Sequence, residues 1–269
     1  MLVKAGHDVV GTTRDVARQA RIAAAGGQPV VVDAFDRDDI FAALRAARPD
    51  VVIHQLTDLA GRDFANNMRL RIEGTRHLVD AARAVDVERM IAQSISWMYE
   101  PGQGPAREGE PLDVEAPSPR NQAVAAVLAL EQAVAEMPIG VVLRYGILYG
   151  PGTWYTRDSL TTEQICRGEI AANDAVTSFV HVADAAQAAL DALRWPAGFW
   201  NIVDDAPAKA SEWAPAYADL VGATPPPIST GAEAWERGAS NAKARQAGWW
   251  PRYANWREGF KLDLVHRDE

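Results

Sequence analysis

The sequence predicts an α/β fold: a doubly wound parallel sheet carrying a small C-terminal lobe. Three observations carry the prediction. Short apolar runs of strand length alternate with Ala- and Leu-rich stretches of helical period from Asp8 to Arg144, the pattern of βαβ units with right-handed crossovers. The apolar run that reaches Arg144 is broken by Gly146 and then by Gly150-Pro151-Gly152, so the chain leaves the sheet in a tight loop where open α/β sheets bind ligands. Seven of the nine tryptophans (195, 200, 213, 235, 249, 250, 256) follow residue 190, which suits a separately packed lobe or a subunit contact better than a sugar-stacking platform.

In chain order, Asp8 to Thr13 is a β-rich run, and Asp15 to Ala25 is a helix stopped by Gly26-Gly27. Pro29 to Asp33 is an apolar strand, Asp36 to Ala47 a helix with acids in its first turn, and Asp50 to His54 a third strand. Asp63 to Ala84 reads as one long helix with Leu78, Ala81, Ala82 and Val85 at helical spacing. Met90 to Gln93 is a strand; Asn121 to Ala135 is a helix with Val124, Val127, Leu128 and Val134 on one face. Gly140 to Arg144 is the strand leading into the Gly-Pro-Gly loop. Beyond it come a helix near Ser159 to Arg167, a return toward the sheet over Thr177 to Val182, and a strand over Phe199 to Val203. Pro101 to Pro119 and Gly222 to Gly231, rich in Pro and Gly, are the loop regions. The domains expected are 1–148, and 149–269 with 177–203 returning to the sheet.

Composition narrows the function. A formal net charge of -9 argues against nucleic acid or an anionic membrane as partner, since both require clustered Lys and Arg. Lys4, Lys209, Lys243 and Lys261 are the chain's only lysines. Cys166 stands alone, and no charged start is followed by an apolar signal stretch, so a reducing cytoplasm is the expected compartment. His7, His54, His77, His181 and His266 lack metal-ligand spacing, and no metal is expected. The expected partners are a small-molecule substrate and, as a homodimer, a second copy of the chain.

Leu143-Arg144-Tyr145-Gly146 running to Tyr149-Gly150-Pro151-Gly152, with Phe179-Val180-His181-Val182-Ala183-Asp184 after it, resembles the signatures of extended short-chain dehydrogenase/reductases, the NAD-dependent epimerase/dehydratase family. Phe199-Trp200-Asn201-Ile202-Val203 and Asn241-Ala242-Lys243 with Gly248-Trp249-Trp250-Pro251 extend the likeness, the Asn expected to cap a helix and the Trp to pack the lobe. The resemblance implies a Rossmann-like dinucleotide domain and NADP or NAD as cofactor. It places Arg14 where the adenosine ribose is read, and a guanidinium there suits the 2′-phosphate of NADP. Asp15 beside it keeps NAD open, and a solvated charge pair is the simpler reading. Asp33 matches the aspartate that meets adenine, with a helix N-cap as the other reading. His54 and Gln55 stand in the loop that passes under the cofactor, although a histidine on an apolar strand is more often a hydrogen-bonded core residue.

Two family parts are absent. The chain opens Met1-Leu2-Val3-Lys4-Ala5-Gly6, which resembles the end of the first helix, with no preceding strand or glycine-rich turn to hold a pyrophosphate. An upstream start codon, a sheet closed differently or by a partner chain, and a non-functional fragment are the open readings. The second gap concerns bond-making. The family's proton donor is a Tyr activated by a Lys one helical turn later, and Glu131 fixes those positions as Ala123 and Val127. No Tyr lies between Tyr99 and Tyr145, and no Lys between Lys4 and Lys209, so no shift of register restores the pair. The usual hydroxyl position is Ile95, flanked by Ser94 and Ser96.

The chain is therefore similar to the atypical branch of this family. Candidate donors are Tyr99, Tyr149 and Tyr155, with Ser94 and Ser96 orienting a substrate oxygen; for each Tyr, aromatic packing is the competing reading. Arg144, ending a buried strand, calls for an acidic or carbonyl partner. The expected function is NAD(P)-linked reduction, epimerisation or dehydration of a small carbonyl or sugar-type substrate with a non-standard proton donor. A dinucleotide-sensing protein without turnover and a non-redox isomerase or cyclase are the alternatives.

Overall fold

In a computed structural model, which describes residues 1–59 and 63–265, the strands are β1 (Val10–Thr13), β2 (Gln28–Val31), β3 (Val51–His54), β4 (Arg89–Ile95), β5 (Ile139–Tyr145), β6 (Ile147–Tyr149), β7 (Val176–Thr177), β8 (Phe179–His181), β9 (Gly198–Ile202) and β10 (Ala208–Lys209). The helices are α1 (Gln19–Ala24), α2 (Arg37–Ala47), α3 (Phe64–Arg69), α4 (Thr75–Ala84), α5 (Arg120–Ala135), α6 (Leu160–Cys166), α7 (Val182–Asp191), α8 (Ala210–Val221), α9 (Ala242–Gln246) and α10 (Trp256–Val265). His266 lies outside the described residues. No helix among the described residues is long and apolar enough to cross a membrane.

Four strands form a sheet of order β3-β4-β5-β9, and β1 and β2 pair as a separate two-stranded sheet. Both β1 with β2 and β3 with β4 run parallel, in registers Val10↔Gln28 and Val51↔Arg89. The fold is thus the α/β class with a parallel sheet. β4 is buried almost without interruption, as expected of a parallel strand covered on both faces.

The chain divides into two compact units: Met1–Ser94 with Val114–Val142 and Ala189–Gly198, and Ile95–Asp113 with Leu143–Ala188 and Phe199–Glu269. In the first unit, α2 and α5 pack against α4. Leu78, Ala81 and Ala82 of α4 and Val124, Val127 and Val134 of α5 are buried there, while Val85 and Leu128 are half-buried. In the second unit, Tyr149, Phe179, Trp213, Tyr217, Trp256 and Phe260 build an aromatic core against α8 and α10.

Three local expectations are corrected. The segment expected as a helix from Asp15 begins as a 3-10 turn, with the Asp15 carboxylate accepting from Ala17 N, and α1 is short. The long helix from Asp63 is broken by a π turn at Leu70–Gly74, whose extra residue per turn buries Leu70, Arg71 and Gly74 together. Asn241 does not cap α9 through its side chain; its Nδ2 donates to the carbonyls of Val203 and Asp204. The Gly-Pro-Gly loop depends on its first glycine. Gly150 has φ +102°, and a Cβ there would lie 2.6 Å from His181 Nε2.

Candidate active site

The carboxyl ends of β1, β2 and β3, with β4 as far as Ser94, form the crest of the first unit. Arg14, just past β1, is 61% exposed in its side chain, and its Nη1 and Nη2 each donate to an Asp58 carboxylate oxygen at 3.0 Å. That fork, first of all, draws the Asp58 carboxyl below the usual carboxylate range. Asp33 is exposed past β2. Its carboxylate accepts from Phe35 N at 2.9 Å, while the N-cap of α2 is Asp36, which accepts from Asp38 N and Asp39 N. The helix-cap reading of Asp33 is therefore set aside, because Asp36 stands at the residue whose geometry caps.

His54 is buried at the end of β3. Its Nδ1 accepts from Leu56 N at 3.2 Å, so Nε2 carries the proton and donates to Thr75 Oγ1 at 2.9 Å. Burial, and secondarily the Arg71 charge, pulls its pKa down to about 4, leaving a neutral imidazole. These contacts are those of a satisfied core histidine. Gln55, next in the chain, is exposed.

Ser94 is buried near the end of β4, and its hydroxyl donates to Glu131 Oε1 of α5 at 2.7 Å. The glutamate singled out by its place on α5 thus acts as acceptor for the serine hydroxyl. One and two turns before it, α5 carries Val127, buried, and Ala123, half-buried. Neither exchanges a proton.

The second unit holds the remaining candidates. Tyr99 is 2% exposed; its hydroxyl donates to Asn201 Oδ1 at 2.6 Å and accepts from Arg144 Nη1 at 2.8 Å. Burial, opposed by the Arg144 charge, pushes its pKa up to about 12. Arg144 also donates to the Glu108 carbonyl at 3.4 Å and lies over the Tyr99 and Phe199 rings, so it has a carbonyl partner of the kind its buried position calls for. Tyr149 is 0% exposed, packs edge-on against Phe179, His181 and Phe260, and has no hydroxyl partner among the described residues. Burial, followed by the charges of Asp204, Asp184 and Asp263, holds its phenol well above the usual range. Tyr155 is half-buried and stacks on Phe260 at 5.8 Å. Ser96 is buried, with its backbone N donating to the Tyr145 carbonyl. The Nδ1 of His181 accepts from Ala183 N, so Nε2 carries the proton and donates to Asp263 Oδ2 at 3.0 Å.

Several charged groups escaped the sequence reading. Asp58, the partner of Arg14, follows His54 by four residues, and an acid so close to a strand end was a usable signal. Arg71 stands at a helical position that turns inward, which showed only as a charge among Leu70, Ile72 and Gly74. Asp204 is buried, with Oδ1 accepting from Ala206 N and Oδ2 without a partner among the described residues. Nothing in its neighbourhood of sequence marked it.

A parallel sheet with charged and polar groups ranged along the carboxyl ends of its strands is the architecture of a dinucleotide-using α/β enzyme. The family model of the NAD dependent epimerase/dehydratase family matches residues 1–202, and the chain belongs to that family. A relative from Streptomyces sp., 3-diazoavenalumate denitrifying reductase, is 44% identical over 283 residues, covering 95% of this chain and 91% of the relative. Among solved structures, UDP-glucose 4-epimerase of Thermotoga maritima with UDP-glucose aligns with a TM-score of 0.77 at 20% identity, covering 98% of this chain and 91% of that one. WbmG of Bordetella bronchiseptica, in complex with NAD and UDP, aligns at 0.79 and 18% identity over 98% and 88% of the two chains. These two show the fold. Together with family membership and the reductase relative, the protein is an NAD-dependent enzyme of oxidoreductase or epimerase type.

The exposed side chains present suit the adenosine end of such a cofactor: a cation past β1 and an acceptor past β2. Residues 1–27 contain no Gly-x-x-Gly-x-x-Gly turn for a pyrophosphate.

Proposed function

We propose that the protein is a reductase that delivers hydride to a small substrate without a protein-derived proton, removing a diazo group as dinitrogen. The observation that carries this reading is α5, where Ala123 and Val127 stand at the positions that the family resemblance assigns to the proton-moving pair. Reduction of a carbonyl requires a proton on oxygen as well as hydride on carbon, and a site lacking the donor is poorly made for it. A diazonium carbon is different: R–N2+ and H− give R–H and N2, with charge and atoms balanced and no proton consumed. The name of the Streptomyces relative describes a reductase of a diazo acid, and its 44% identity favours the same chemistry here.

A reduced nicotinamide, when bound, supplies the hydride. Arg14 and Asp33 hold the adenosine end in this reading, Arg14 meeting a 2′-phosphate and so favouring NADP over NAD. Asp58 keeps the Arg14 fork aimed. Ser94, with its hydroxyl given to Glu131, supplies a polar edge that accepts through its remaining lone pair. The candidate phenols of the second unit serve as packing and hydrogen-bonding groups in this scheme.

The test is to give the purified chain an arenediazonium carboxylate or a matched aryl ketone, with NADPH or NADH. Loss of reduced-dinucleotide absorbance equal to dinitrogen released, above a protein-free control, is the expected result. Turnover of the ketone with no dinucleotide consumed by the diazonium would overturn the proposal and return the chain to carbonyl chemistry.

A further inference from the structure

Arg69, Arg71 and Arg76 lie close together along the helical segment from Phe64 to Ala84, and they differ in kind. Arg69 pairs with Glu73 at 2.8 Å, and Arg76 pairs with Asp80 and Glu136 at 2.7 and 2.6 Å; all of these partners are solvated. Arg71 is 8% exposed, and among the described residues its guanidinium makes no hydrogen bond and no ion pair. None of its nitrogens is among the fully buried atoms left without a partner, so the fork is not sealed into the core and can still be reached.

Its surroundings say what it faces. The π turn that carries Arg71 packs against α5. The charge it feels is that of Glu131, on the same face of α5 as Val127, and its own charge helps to keep the imidazole of His54, at the end of β3, neutral. Glu131 already accepts from Ser94 at the end of β4. Burial draws the Arg71 pKa down to about 10, with Glu131 opposing, so it stays a cation at neutral pH. π turns within helices recur at functional sites. Here the turn brings a forked cation beneath the carboxyl ends of β3 and β4, where ligands of such sheets bind.

We infer that Arg71 is an anion anchor, whose planar fork takes a carboxylate or phosphate oxygen pair of the ligand bound at the crest of β3 and β4. The inference rests on the proposed function only in that an acidic substrate or a dinucleotide binds here. The shared chemistry is a two-oxygen anion matched to a guanidinium. Its source is the dinucleotide phosphate or the substrate carboxylate, and the experiment separates them.

Binding is measured by calorimetry on the full chain without turnover, so failure to reduce a diazo compound leaves this test standing. The probes are NADH, for the phosphate source, and benzoate against benzamide in the presence of NAD, for the carboxylate source. Arg71→Met keeps the apolar stem and removes the charge, and Arg71→Lys keeps the charge and removes the fork. A loss of about tenfold or more in NADH affinity in both variants assigns the phosphate. The same loss for benzoate alone, with benzamide unmoved, assigns the carboxylate. Binding unchanged in both arms for both variants, or an Arg71→Met chain that unfolds earlier while binding as before, overturns the assignment and makes Arg71 structural. Should Arg71→Met not fold, the Lys variant decides by the same binding criteria.

Discussion

Replacing Tyr149 by Phe separates the two roles a buried phenol can have. The ring is held edge-on at 6.1 Å from Phe179, 5.1 Å from His181 and 4.8 Å from Phe260, and Phe preserves all three contacts. The change removes a hydroxyl that has no partner among the described residues. An unpaired buried hydroxyl costs about 1 to 3 kcal/mol, so Tyr149→Phe is expected to be more stable by about 1 kcal/mol. For a chain of this size that raises Tm by roughly 2 to 4 °C. Turnover should stay within about twofold of the parent, whereas loss of a general acid costs on the order of 10² to 10⁴. Thermal unfolding and steady-state dinucleotide oxidation read the two quantities on one preparation. A hundredfold fall in turnover with the fold intact would show that this phenol moves a proton. A stability loss above about 1 kcal/mol would show that the hydroxyl is paired after all. Tyr99→Phe is the contrasting case. Its hydroxyl joins Asn201 Oδ1 and Arg144 Nη1, so deletion removes one hydrogen bond from each of two buried groups and should cost about 2 to 4 kcal/mol.

Arg14→Ala should weaken NADPH binding by roughly ten- to a hundredfold, the worth of a charged hydrogen-bond pair, and NADH by no more than about twofold; equal losses in a titration would remove Arg14 from the 2′-phosphate. Asp204 has its pKa raised to about 7, chiefly by burial, against an ordinary value of 3.8. The folded protein therefore binds a proton that the unfolded chain releases, and stability falls as pH rises from about 4 through 7, by at most about 4 kcal/mol. Asp204→Asn should remove that slope and be the more stable form at pH 8 in urea unfolding. An unchanged slope would mean that another group titrates.

The alternation of strand and helix was legible because it is written in local periodicity. β4 holds the apolar run Met90 to Ala92 and β5 the run Val141 to Leu143, and α4 and α5 repeat their apolar residues every third or fourth position. The π turn was not legible, since one extra residue in a helical turn leaves no compositional mark. The candidate site was legible in what it lacks. Ala123 and Val127 cannot exchange a proton in any environment, and that follows from side-chain chemistry alone. What the remaining candidates do was a matter of partners remote in the chain. Tyr99 meets Asn201, Arg14 meets Asp58, and Tyr149 is enclosed by Phe179 and by α10 at Phe260 and Gly259.

Residue order by itself therefore determined the class of fold, the loop that leaves the sheet, and the loss of the customary proton pair on α5. The first two rest on short-range periodicity and turn chemistry, and the third on the family resemblance together with the chemistry of single side chains. Tertiary structure alone decided which polar groups are satisfied and which are left over. The Tyr99 phenol is committed to Asn201 and Arg144, the Tyr149 phenol is sealed in an aromatic core, and Arg71 lies 8% exposed on a π turn, within the field of Glu131. The reason is that desolvation and hydrogen bonding act through space, and the distances that set them are fixed only when segments far apart in the chain pack together.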